Sequence, residues 1–204
     1  MPPEQGFLGT VDEPFVKALA WHALDRTGGF DSVTAQRATG ALPLVYIDKN
    51  PWGRHLDDQT VVRNASEAEA FARLKKCLEQ GSVRLAYSSI AFGEGSPRDG
   101  SESVSRQAML GILGLRSLDQ PLVFHAELTD TAAVAQIVFE KIGIGGQDPI
   151  HAAAAILEGA WYFVTGDDRL RHGLNRLYDE WGLPVSAQTP TSVMVEIDAG
   201  CPIR

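Results

Sequence analysis

The sequence predicts an α/β fold built on a mainly parallel sheet. Short apolar, β-branched runs alternate along the chain with longer segments of helical pattern. Glycines or an Asn-Pro pair break the chain between several of them, and no internal repeat disturbs the alternation. With 204 residues the chain suits one domain with a sizeable core, and ordinary hydrophobic (44%) and charged (22%) fractions argue against global disorder.

In chain order, PFVKALAWHALDRT places Phe15, Leu19, Ala20 and Leu24 at helical spacing, with Gly28-Gly29 as the stop. A short helix in SVTAQRATG ends at Gly40. Residues 1–40 are therefore expected to be an N-terminal helical extension, and 41–204 the main domain. LPLVYID, Leu42 to Asp48, predicts a buried strand ending on a carboxylate, broken by Asn50-Pro51-Trp52-Gly53. Ser66 and Glu69 have the spacing of a capping box, opening a helix that runs to about Gln80 with Gly81 as its stop.

A second buried strand is expected from Val83 in VRLAYSSIAF, followed by a Gly/Ser/Pro-rich loop, GEGSPRDGSES. Helix-prone sequence continues to about Arg116, LVFHAEL is strand-like or irregular, and TAAVAQIVFEKIG predicts an amphipathic helix. A helix over 149–159, the strand YFVT, the helix DRLRHGLNRLYDEWG and a last strand LPVSAQ complete the order.

The net charge of −8 argues against sequence-independent nucleic-acid binding through a broad basic surface, although a metal site could offset it locally. Cys77 and Cys201 stand far apart without CxxC spacing, so neither a disulfide framework nor a zinc knuckle is expected, and a reducing compartment fits. The N-terminal MPPEQGFLGTVDEPF lacks a signal-peptide pattern, and no run reaches the roughly 18 apolar residues of a membrane span. The expectation is a cytoplasmic protein with no membrane partner, in which the sequon at Asn64 has no consequence.

In open parallel sheets ligands bind beyond the carboxyl ends of the strands. By that rule four acids reach one rim: Asp48 after the first strand, Glu94 after the second, Asp148 at a helix start and Asp167 after YFVT. Crowded carboxylates repel unless a cation neutralises them, and Mg²⁺ or Mn²⁺ prefers oxygen ligands. The implied chemistry is metal-assisted phosphodiester hydrolysis. Taken singly, each acid has a structural explanation: Asp148 and Asp167 as helix caps, Asp48 as a turn residue, Glu94 as a solvated loop residue.

These segments resemble the PIN-domain family of metal-dependent ribonucleases, which includes VapC-type toxins. The matching text is LVYIDKN, YSSIAFGE, DPIHAAAA and VTGDDRL, spread over about residues 42 to 195. The resemblance implies a three-layer α/β/α sandwich with a central parallel sheet. It also implies Mg²⁺ or Mn²⁺ held by Asp48, Glu94, Asp148 and Asp167 as catalytic ligands, an RNA substrate, and, for a toxin, an antitoxin partner and homodimerisation. Lys49 departs from the pattern by replacing a small hydroxyl residue. It could take part of the metal's electrostatic role, contact a substrate phosphate, or point away from the rim.

Asn50, Thr165 and Asp168 are accessory candidates: Asn50 to support Asp48 or form a turn, Thr165 to orient a carboxylate or bond backbone, and Asp168 because it follows the fourth acid. His151 is expected to be a buried, hydrogen-bonded packing residue, and Trp161 and Trp181 to be core. Arg169, Arg171, His172 and Arg176 form either a solvated helix face or a phosphate-tracking edge, with Arg54 and Arg98 as comparable loop cations. The leading expectation is a metal-dependent endoribonuclease. The alternative is a degenerate PIN-like module that binds RNA or protein without cleavage. A phosphorylation-receiving signalling domain also gathers acids at strand ends, but no clear Lys closes the last strand.

Overall fold

The computed structural model describes residues 12–28, 42–48, 51, 58–86 and 128–200, with the backbone alone for 128–130 and 200. The run LVYI is buried at every position and forms strand β1 (Leu44–Ile47), the continuous burial expected of a parallel strand covered on both faces. It pairs in parallel with β2 (Arg84–Ala86) on one side and β3 (Tyr162–Val164) on the other, and β4 (Ser186–Gln188) pairs in parallel with β3. The sheet order is β2-β1-β3-β4.

Among the described residues six helices accompany the sheet: α1 (Glu13–Thr27), α2 (Val62–Glu79), α3 (Leu128–Ile142), α4 (Asp148–Glu158), α5 (Asp168–Trp181) and α6 (Pro190–Gly200). Parallel strands require crossover connections, and helices fill them as the alternating pattern predicts. Helix α6 packs on α2, α4 packs on α1 and α3, and α3 touches α5. No helix of the described residues is long and apolar enough to cross a membrane.

Helix α1 starts at Asp12, whose carboxylate accepts the Phe15 N–H at 3.1 Å, and ends at Gly28 with φ of 79°. Its buried stripe is Val16, Ala20, Ala23 and Leu24, whereas Phe15 is half exposed, so the apolar face is rotated from the one expected. The stripe belongs to the same core as the sheet. Polar ties reinforce it: Thr27 Oγ1 donates to Gly159 O at 2.7 Å, Arg84 donates to Thr27 O, and the Trp181 indole donates to Glu13.

Three other details differ from the expected pattern. Helix α2 begins four residues before Ser66, whose hydroxyl donates to Val62 O inside the helix, so Ser66 and Glu69 do not form a capping box. The N-cap of α4 is Gln147, and Asp148 is the first helical residue, where a negative charge complements the helix dipole. Helix α6 was not expected. Thr189 Oγ1 accepts the Ser192 N–H at 3.1 Å just before Pro190, a Thr-Pro start that the sequence does contain.

Candidate functional site

Connections leave β1 toward β2 and β3 toward β4, in opposite directions across the sheet. The boundary between the paired strands β1 and β3 is therefore its topological switch point, the place beyond whose carboxyl ends ligands bind in open parallel sheets. Asp48 follows β1 directly, and its N–H donates to Val164 O at 2.9 Å, so the strand pleat continues through it. Its side chain is only 3% exposed. Thr165, fully buried at the end of β3, donates its hydroxyl to Asp48 Oδ2 at 2.7 Å. The same Thr165 oxygen accepts the Asp167 N–H at 3.0 Å. One hydroxyl thus ties the first acid to the turn that carries the fourth.

Asp167 is the N-cap of α5, with Oδ1 accepting the Leu170 N–H at 2.9 Å. The cap that could explain this acid structurally is present, and so is its link to Asp48. Thr165 does what an orienting group at a carboxylate site does.

Asp148 is placed by a different contact. Tyr46 OH and His151 Nδ1 lie 2.8 Å apart, both side chains fully buried, and the Tyr46 ring stacks on Phe163 with centroids at 5.5 Å. Tyr46 and Asp48 are two apart on a strand and share one sheet face. His151 and Asp148 are three apart on a helix and share one helix face. Moving one step toward the rim from the Tyr46–His151 bond advances about 6.6 Å along the strand and about 4.5 Å along the helix. By that step Asp48 and Asp148 both lie toward the carboxyl end of β1 from the Tyr46–His151 contact, but among the described residues they do not form part of a three-acid group. His151 is the buried, hydrogen-bonded residue expected of it, and Trp161 and Trp181 are core.

Asp168 faces cations. Arg63, on α2, donates from Nη1 to Asp168 Oδ2 at 3.0 Å and from Nη2 to Oδ1 at 3.3 Å and to Gly166 O at 3.1 Å. Its Nε donates to the buried Glu67 at 2.8 Å. Arg171 adds a second donor to Asp168 Oδ1 at 3.1 Å. Hydrogen bonds from Arg63 and then Arg171 hold the Asp168 carboxyl below its ordinary range, and Glu67 and then Asp168 raise the Arg63 guanidinium. Nothing local in the sequence marks Arg63, because Asp168 lies 105 residues away.

Of the other candidate cations, Arg169 is exposed and donates to Gly143 O, Arg176 is exposed and reaches Lys141 O, and His172 contacts Arg171. Glu94, Lys49, Asn50, Arg54 and Arg98 lie outside the described residues. Among the described residues, no three His, Cys, Asp or Glu side chains form a group that could hold a metal ion. The structure therefore brings Asp48, Thr165 and the Asp167 turn into contact, and it does not gather Asp148 with them into a three-acid group.

No protein-family model matches the chain, and neither a curated protein nor a solved structure is found to be similar to it. The fold defines a class at the level of an α/β domain with a parallel sheet, with Asp48 at its switch point.

Proposed function

We propose that this chain is a divalent-metal-dependent endoribonuclease with a PIN-like α/β/α sandwich. The observation that carries the reading is the buried Asp48 at the switch point, bonded by a Thr165 hydroxyl that also holds the Asp167 turn. A nearly buried acid in a cleft at strand ends is costly for folding alone and is common where chemistry is done. The two helix groupings, α6 with α2, and α4 with α1 and α3, which in turn touches α5, support covered sheet faces.

The donor chemistry fits a hard cation. Asp48, Asp148 and Asp167 offer only oxygens, and they would hold Mg²⁺ or Mn²⁺ together with Glu94, although the three described acids do not by themselves form a metal-holding group as they stand. A bound divalent ion supplies Lewis acidity toward a phosphoryl oxygen and activation of water. The protein's own contribution is to orient Asp48 through Thr165, to stabilise the Asp167 turn through the cap on α5, and to hold α4 against β1 through Tyr46 and His151. An antitoxin chain, a second copy of this chain and a cytoplasmic setting belong to the same proposal.

Cleavage of single-stranded RNA tests it. Activity is expected with Mn²⁺, none with EDTA, and a loss of at least about 100-fold in Asp48→Asn and Asp148→Asn. Activity that survives both EDTA and Asp148→Asn overturns the proposal. A second reading, a PIN-like module that binds without cutting, is favoured by two observations: Asp167 already serves as a cap, and Asp168 is paired with two arginines. Calorimetry separates the two readings, because failure to bind Mn²⁺ at millimolar concentration selects the second.

A further inference from the structure

We propose that Arg63 and Arg171 form a phosphate subsite beside the turn that links Thr165 to Asp167, and that the Asp168 carboxylate holds the place an RNA backbone phosphate takes on binding. The choice of RNA as ligand rests on the ribonuclease reading. The subsite itself rests on the geometry of α2 and the turn after β3.

Glu67 is 3% exposed and fixes the Nε edge of Arg63, so the guanidinium presents its other edge to the turn in a set orientation. That edge meets both oxygens of Asp168, a forked pairing. Carboxylate and phosphate oxygens suit the same planar fork, which makes Asp168 a chemical stand-in for a phosphodiester. The Arg63 and Asp168 side chains are 47% and 50% exposed, so the pair is weak in water and open to exchange. Arg171 donates to the same carboxylate, so release of Asp168 leaves donors of two arginines open to a new acceptor while Glu67 and Gly166 O still hold Arg63.

Position adds the functional meaning. Arg63 Nη2 also bonds Gly166 O, one residue from Asp167, so a phosphate held there sits next to the crevice. In a chain of net charge −8, a substrate needs such local cations to approach a rim of acids.

A purely structural clamp makes a different prediction. If Arg63 and Asp168 served only to hold the turn, removing either would weaken RNA binding. A subsite with a placeholder gives opposite signs. The test is fluorescence anisotropy of a fluorescein-labelled single-stranded RNA oligonucleotide in EDTA, across a salt series, with circular dichroism to verify folding. Arg63→Gln is expected to weaken binding about 5- to 10-fold and to flatten the log K against log salt slope by about 0.7, one phosphate contact. Asp168→Asn, at a half-exposed position, is expected to tighten binding about 2- to 4-fold. The subsite is overturned if Asp168→Asn weakens binding or leaves it unchanged, or if the unaltered protein binds no RNA. Cleavage in Mn²⁺ is measured separately, and its absence with the opposite-sign pattern intact counts against the nuclease reading alone.

Discussion

Thr165 shows how much a single side chain can settle at this rim. Its hydroxyl donates to Asp48 and accepts from the Asp167 N–H, which uses both of its hydrogen-bonding capacities in one place. Asp168, one position beyond Asp167, behaves as a surface acid between two arginines. Its folded pKa is lowered, so its stabilising contribution is present above the ordinary unfolded value of about 3.9 and is lost as pH falls through the lower folded value. A carboxyl-detected NMR titration should place the Asp168 midpoint below that of an exposed aspartate, and Arg63→Gln should move it back upward. An unchanged midpoint in that variant would show that the arginine does not control the acid. At this scale the local sequence announced Asp48, Thr165 and Asp167, since each sits where a strand pattern ends. It could not announce Arg63 or Glu67, whose role comes from a contact between distant segments.

Elements were legible where pattern and punctuation agree. DPIHAAAAILEG carries an acid, a proline, an apolar run and a terminal glycine, and it forms α4 from Asp148 to Glu158. Gly159 then takes φ of 69°, and a Cβ built on it would lie 2.2 Å from Ala23 O in α1. Both the left-handed backbone and the helix contact exclude a side chain, so Gly159→Ala is expected to cost about 2 to 5 kcal/mol, as strain and overpacking add. Urea denaturation measures it, and a loss under 1 kcal/mol would mean that α1 moves aside at little cost. The misjudged elements share a cause. The rotated face of α1 and the false capping box at Ser66 both came from short spacings that recur by chance within helices, and only packing against the sheet selects the real phase. Helix α6 was overlooked because Val193, Met194 and Ile197 form a brief pattern, although its Thr189-Pro190 start was readable.

At the scale of the molecule, the parallel α/β architecture could be read from the alternation of runs, whereas the intimacy of α1 with the core could not. Val16, Ala20, Ala23 and Leu24 bury against the same cluster as the sheet, and Thr27 satisfies the carbonyl of Gly159. Burying a large aliphatic side chain contributes about 1.5 to 3 kcal/mol, and two are involved here, so a chain beginning at residue 29 would lose much of the about 5 to 15 kcal/mol that holds a typical domain. It is expected to melt without a cooperative transition and to bind a dye specific for exposed apolar surface. A sharp melt near that of the full chain would show that the sheet is stable without α1.

The pairing of β1 with β3 also sets a timetable for the site. Asp48 and Thr165 are 117 residues apart, so the crevice is closed by a contact that must bridge more than half of the chain. Non-local parallel pairing of this kind folds slowly, and at a synthesis rate of about 5 to 20 residues per second the ribosome needs about 6 to 23 s to travel from one partner to the other. During that interval the first acid has emerged without its hydroxyl partner. A nascent chain therefore carries Asp48 without the Thr165 hydroxyl until its last third is being made.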